Sequence, residues 1–195
     1  MVRNSGWGTG SLRPSLRPEQ TSAILRRSAE DVNAENGCSA CAIGRDALSG
    51  WGRLDMAAAL AELSKPLPLR DRHETNDDVG PRSAGVAGSD RRISATVDFW
   101  EDQDDVYAIG LRKGQAVYVG LTAADHAADL SLALWLPQTE SIDDVRSIRM
   151  RARLSARPRG REYLSYRTRA SGTYFIQVRM SSPGATAYRL AIVKG

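Results

Sequence analysis

From Arg91 onward, apolar and polar positions alternate with a period of two. Ile93, Ala95 and Val97 are separated by polar residues, and Val106, Ala108 and Gly110 interleave with Tyr107 and Ile109. Short apolar runs recur at 116–119, 130–136, 174–178 and 188–193, with turn signals at Lys113-Gly114, Ser171-Gly172 and Ser182-Pro183-Gly184. Successive strand side chains point to opposite faces, so this rhythm buries one face of each strand. It predicts roughly seven or eight short strands across 91–195, and so a mainly β chain whose C-terminal domain is an antiparallel, jelly-roll-like sandwich.

Before residue 65 the period is helical. Pro18 to Ala29 presents Ile24, Leu25 and Ser28-Ala29 on one narrow face, and Pro18 suits a first helical turn, where its missing N–H goes unneeded. Met56 to Leu63 forms a second helical pattern, with Asp55 placed to cap it and Pro66 and Pro68 to stop it. Both stretches are short and Ala-rich, with too few large apolar residues to bury each other; they read as elements of a larger core. Residues 1–13, Gly- and Ser-rich without periodicity, read as a disordered leader. Residues 65–90 hold Pro66, Pro68 and Pro81 with a charged run, and read as a linker. The domain reading is therefore leader 1–13, helical piece 14–64, linker 65–90 and sandwich 91–195.

Composition changes this picture little. Hydrophobic residues make up 42% and charged residues 26%, ordinary for a globular chain. The net charge of +4 comes from 27 Lys and Arg against 23 Asp and Glu, and only 3 of the 27 are Lys. No apolar run is long enough to span a membrane. Met1 to Trp7 has no apolar stretch behind it and reads as no signal peptide.

Cys38 and Cys41 lie in a Gly- and Asn-containing loop. A redox pair of this spacing belongs in a βαβ setting, which is absent, and two thiols do not complete a zinc site. The reading is a small local disulfide in an exported chain.

Two segments resemble known families. Gly50-Trp51-Gly52-Arg53-Leu54-Asp55-Met56-Ala57-Ala58-Ala59-Leu60 resembles the stretch that ends subtilisin-like (subtilase) serine protease domains. Pro14-Ser15-Leu16-Arg17-Pro18-Glu19-Gln20, with Ile24-Leu25 and Ser28-Ala29, resembles the segment that precedes it. Arg17 departs from the Thr or Ser usual there. The family's Asp, His and Ser motifs would lie upstream. Gly8-Thr9-Gly10-Ser11 echoes the Ser motif, but its third residue is Gly, and neither His73 nor His126 sits in a His-Gly-Thr context. A Ser hydroxyl without a positioned base is a poor nucleophile, so the chain is expected not to be an enzyme.

Residues 72–195 resemble the prepeptidase C-terminal (PPC) domain of secreted bacterial proteases and are similar to the collagen-binding domains of bacterial collagenases. The matching pieces are Glu74-Thr75-Asn76-Asp77, Asp104 to Leu111, Lys113-Gly114-Gln115, Asp129 to Leu132, Ser171 to Val178 and Tyr188-Arg189-Leu190. The resemblance implies secretion and a non-catalytic role in substrate or matrix contact or stabilisation. The implied partner is an extracellular protein, a matrix component or the parent catalytic domain. It also implies calcium, with Glu74, Asn76, Asp77, Asp102 and Asp105 as ligands. These residues suit that ion, which takes six to eight hard oxygens from carboxylates and carbonyls.

The rival reading is a basic polyanion-binding module. Nine arginines fall between Arg146 and Arg169, and Arg149, Arg151 and Arg153 alternate with Ile148, Met150, Ala152 and Leu154, as one strand face would. Aromatics interleave thinly and no nucleic-acid motif is present, so nucleic acid is not expected as a partner. An Arg-biased solvent face explains the same pattern.

Overall fold

Pro18 opens helix α1 (Pro18–Ser28), and Asp55 caps helix α2 (Met56–Glu62), its side chain accepting from the Ala58 N–H at 2.9 Å. At the start of α1, Gln20 Oε1 accepts from the Arg17 N–H at 3.1 Å. Arg17 has no side-chain oxygen to reciprocate, so half of a capping box forms. This computed structural model describes residues 16–41, 48–65, 72–88, 90–157 and 161–195; the leader expected at 1–13 lies outside them. The chain divides into two compact units, Met1–Leu67 and Pro68–Gly195.

In the first unit the glycines around Trp51 are required by geometry. Gly52 has φ +104°, and a Cβ there would lie 2.2 Å from the Glu30 carbonyl oxygen. That close approach lets Glu30 and Arg53 exchange backbone hydrogen bonds, both at 2.8 Å. Arg26 lies 5.9 Å from the centre of the Trp51 ring, and Cys38 and Cys41 are joined as a disulfide. The buried apolar residues described here are Ala23, Ile24, Cys41 and Ala59, while Leu25, Leu48, Leu54, Met56 and Leu60 are exposed. So little buried surface holds the unit weakly. Limited trypsin digestion should therefore cut at Arg26, Arg27 and Arg53 early, leaving a resistant fragment that contains Asn76 to Gly195. A persistent fragment spanning both helices would contradict this.

The second unit is a β-sandwich. Its strands are β1 (Ala84–Val86), β2 (Asp90–Asp98), β3 (Asp104–Leu111), β4 (Ala116–Ala123), β5 (Leu130–Trp135), β6 (Arg151–Ser155), β7 (Arg161–Arg167), β8 (Gly172–Met180) and β9 (Ala185–Lys194). One sheet has the order β1-β3-β8-β5-β6, the other β2-β9-β4-β7. All pairings are antiparallel except β1 with β3. The segment read as a linker thus contributes a short parallel edge strand, Ala84 opposite Tyr107.

The main core lies between the sheets, where Tyr107, Ile109, Val119, Leu121, Ile176, Leu190 and Ile192 are almost fully buried. In β9 every second residue faces it: Thr186, Tyr188, Leu190 and Ile192 are buried, and their neighbours Ala187, Arg189 and Ala191 are exposed. The five-stranded sheet instead carries a second layer on its outer face. There Val106, Ala133, Trp135 and Phe175 pack with Val79 and Ile142, from chain that crosses over the sheet. Asp78 fastens that cover. Its carboxylate accepts from the Val79 N–H (2.8 Å), the Ile142 N–H (2.9 Å), the Ser141 hydroxyl (2.9 Å) and Arg82 Nη2 (2.6 Å). At the β6–β7 edge, the buried Glu162 accepts from the Ser155 hydroxyl and the Arg157 N–H and so joins the two sheets. No described helix is long and apolar enough to cross a membrane.

Candidate functional site: an acidic cluster at one end of the sandwich

Consecutive residues of β3 point to opposite faces, and Asp104 and Asp105 divide accordingly. Asp104 turns outward. It accepts from Gln177 Nε2 at 2.6 Å and Arg179 Nη2 at 2.9 Å, and Gln177 in turn accepts from Trp135 Nε1 at 2.8 Å. Burial lifts its carboxyl to about 6, although the Arg179 charge and the Gln177 hydrogen bond pull the other way.

Asp105 turns inward and is completely buried. One of its oxygens accepts from Asn76 Nδ2 at 2.6 Å, the other from the Tyr188 hydroxyl. Burial, the Asp105 charge and the Tyr107 neighbour hold the Tyr188 phenol far above its ordinary range, so it stays a donor. Tyr188 also lies 2.6 Å, oxygen to oxygen, from Tyr107. The chain Asp105–Tyr188–Tyr107 thus links the cluster to the main core, and β3 to β9.

Two turns bring the remaining groups to Asp105. Asn76 accepts the Val106 N–H on its carbonyl at 2.6 Å, which pins the 74–78 segment alongside β3. Asp98 and Asp102 exchange backbone hydrogen bonds of 2.8 and 2.9 Å, and the Asp98 carboxylate accepts from the N–H groups of Trp100 and Glu101. This closed turn places Asp102 beside β3.

As a result Glu74, Asp102 and Asp105 each offer an oxygen within 4.8 Å of the others. Oxygens held at 2.3–2.6 Å from one calcium ion can be no further apart than about 5 Å, so the spacing fits. Asn76 is fully buried, and its Oδ1, like Asp102 Oδ1, is a buried oxygen with no hydrogen-bond partner among the described residues. Buried polar atoms are normally paired, so both call for a donor or a cation. Burial first, then the Asp105 charge, the hydrogen bond and charge of Glu74, and the Asp77 charge push Asp102 up to about 11. Four carboxyl groups so placed do not all ionise unless positive charge joins them. Asp77 lies outside the tight trio but near enough to act on Asp102 through its charge.

The other sequence-derived groups are not members of this cluster. Cys38 and Cys41 belong to the first unit. The expected arginine face is not formed as expected: Arg149 sits in the 3-10 turn Val145–Met150, and only Arg151 and Arg153 belong to β6. A 3-10 turn has about three residues per turn, which breaks the period of two. Arg151 lies 5.9 Å from the centre of the Trp135 ring and Arg153 5.4 Å from that of Tyr166, so each is spread over an aromatic. In the sequence Tyr107 and Tyr188 stand only as strand positions. Their hydroxyl contacts leave no trace in a pattern that registers only an apolar ring.

No protein-family model matches the chain, and no curated protein matches it. Among solved structures, the chain is similar to the pre-peptidase C-terminal domain of a collagenase from Bacillus anthracis (13% identity, 55% of this chain and 90% of that one, TM-score 0.43). It is also similar to PliG, a periplasmic inhibitor of g-type lysozyme, from Aeromonas hydrophila (13% identity, 57% and 94%, TM-score 0.45) and from Salmonella Typhimurium (21% identity, 57% and 96%, TM-score 0.37).

Proposed function

We propose that the chain is a non-catalytic accessory module of a secreted subtilisin-like protease, and that calcium closes its sandwich. The observation that carries this reading is the convergence of Glu74, Asp102 and Asp105 within 4.8 Å beside the buried Asn76 Oδ1, which has no partner among the described residues. The protease parentage rests on the motif resemblance around Gly50 to Leu60 and Glu74 to Asp77.

Glu74, Asn76, Asp102 and Asp105 would hold the ion, and Asp77 would add charge beside it. Calcium supplies the positive charge that lets several buried carboxylates stay ionised. The protein's part is orientation. Asn76 and Tyr188 fix the two oxygens of Asp105 by hydrogen bonding, and the 98–102 turn fixes Asp102. Bound there, the ion ties the 74–78 segment and the 98–102 turn to β3, and so fastens the sandwich's cover to its core. The module's role is then contact with an extracellular protein, or stabilisation of the protease that carries it.

The non-catalytic part is tested with a fluorophosphonate probe for activated serines. The chain should show no stoichiometric labelling and no hydrolysis of casein. Labelling of any one Ser in proportion to protein would overturn it.

A further inference from the structure

The two sheets differ on their outer faces. The five-stranded sheet is covered by the layer around Trp135 and Phe175. The four-stranded sheet shows an open face, and the strand registers arrange it in rows. Arg161, Thr122, Arg189 and Ser94 lie side by side in one row; Tyr163, Gly120, Ala191 and Arg92 form the next; Ser165, Tyr118, Val193 and Asp90 the one after. Tyr163, Tyr118 and Val193 are 53%, 43% and 46% exposed. Between them the floor is Gly120 and Ala191. Toward the other end it deepens into a trough of about 630 Å³ lined by Ser94, Thr96, Thr122, Ala187, Arg189 and His126. The exposed positions of β4, β7 and β9 include Arg161, Arg167 and Arg189 and not one Asp or Glu.

We infer that this face binds an extended polypeptide whose same-side side chains, two residues apart, are acidic and apolar in turn. Outward rows on a strand recur every two residues, about 6.8 Å, which is also the repeat of same-side side chains in an extended peptide. A peptide lying along the strands sets a carboxylate against Arg161 and Arg189. One repeat further on, it sets an apolar side chain over Gly120 and Ala191 between Tyr163 and Tyr118. Arg161, Arg189 and Arg92 outnumber the one acidic residue of these rows, Asp90, and supply the charge complementarity. The exposed tyrosines supply rigid, amphipathic contact area. A chain recognised by charge alone would need neither the small floor nor the tyrosines. This inference rests on the reading of the chain as a binding module, and specifies its partner class. It does not depend on calcium, whose failure would appear in melting curves and not here.

The test uses the whole chain and a fluorescein-labelled peptide of the repeat glutamate-serine-leucine-serine. The comparison probes are the same repeat with lysine in place of glutamate, and heparin. The glutamate peptide should bind saturably and the lysine peptide should not. Arg189→Glu should weaken binding roughly tenfold or more, since a contact charge is reversed. Gly120→Val is the second variant. A Cβ at Gly120 meets no atom within 4 Å, so the fold should accept it while the side chain fills the floor. It too should weaken binding by roughly tenfold with an unchanged melting temperature. Unaltered binding by either variant, an inert glutamate peptide, or saturation by heparin with the peptide inert would overturn the inference.

Discussion

Calcium should raise the melting temperature of the sandwich by on the order of 10 °C at a hundredfold excess over its dissociation constant. Binding only the folded state contributes RT ln(1 + [L]/Kd), about 2.7 kcal/mol under those conditions, and a domain of this size converts that into such a shift. Asp105→Asn should abolish the response, because the buried oxygen pair held by Asn76 and Tyr188 is broken up. Asp102→Asn should abolish it too, but with the opposite effect in chelator, where the variant should melt above the parent. Without the ion, Asp102 must either carry a buried charge or keep its proton, and the amide escapes both. Asp143→Asn, an exposed carboxylate at 3.5 Å from Arg179, should leave the calcium response intact.

The pH dependence has a definite sign. Asp102 and Asp104 are raised from 3.8 to about 11 and about 6 in the folded chain. A raised carboxyl contributes stability below its unfolded value and loses it as pH climbs toward the folded one. In chelator, stability should therefore fall from about pH 4 upward, the Asp104 share being lost by about pH 6 and the Asp102 share continuing to fall toward about pH 11, and calcium should reverse that slope by favouring the ionised site.

Removing the Asp78 carboxylate should be the most damaging single truncation outside the cluster. Asp78→Ala leaves the buried N–H groups of Val79 and Ile142 without their acceptor and frees Arg82 and Ser141. Loss of several charge-assisted hydrogen bonds with two buried donors stranded is worth about 3–5 kcal/mol, or a fall in melting temperature of roughly 10–20 °C. Asp78→Asn should fall between, since both backbone groups bind the same oxygen, Oδ1, which an amide can keep. Burial by itself would raise the Asp78 carboxyl, but donation from Ile142, Val79, Ser141 and Arg82 holds it below the ordinary value. Its contribution is therefore complete above about pH 4 and lost as pH falls through the lowered value, so Asp78→Asn should flatten the acid limb of the stability profile. A penalty below about 1 kcal/mol for Asp78→Ala would contradict this role.

Strands with one bare face were the legible ones. Thr186, Tyr188, Leu190 and Ile192 alternate with Ala187, Arg189 and Ala191 because only one side of β9 is covered. In β3 and β8 both faces are buried for most of their length, so the alternation blurs and the sequence shows only apolar density. Ala84–Val86 has three small or moderate residues in Gly-rich surroundings, and its parallel pairing with β3 comes from tertiary contact, not local preference. The arginine alternation from 149 to 153 misleads for a related reason. A capped 3-10 turn, started by Asp144 accepting from the Arg146 N–H, occupies its first half. Glu162 is 1% exposed because Ser155 and Arg157, from β6 and its exit, satisfy it, and nothing in its local sequence announces that burial. At the cluster, Glu74, Asn76, Asp102 and Asp105 stand out as oxygen-bearing residues in loops or at a strand start. The support from Tyr188 and Tyr107 is long-range, 83 and 81 residues away along the chain for its two hydrogen bonds, and no local pattern carries it.

The most direct test of the calcium-closed module is isothermal titration of the metal-free chain with calcium chloride in two buffers of different ionisation enthalpy. A calcium-closed module should bind one ion per chain saturably and release protons to the buffer, because Asp102 gives up its proton as the ion enters. Asp105→Asn should show no such binding, and magnesium, which demands tight octahedral geometry and sheds water reluctantly, should bind weakly. Absence of calcium heat at neutral pH, or equal binding by Asp105→Asn, would contradict it.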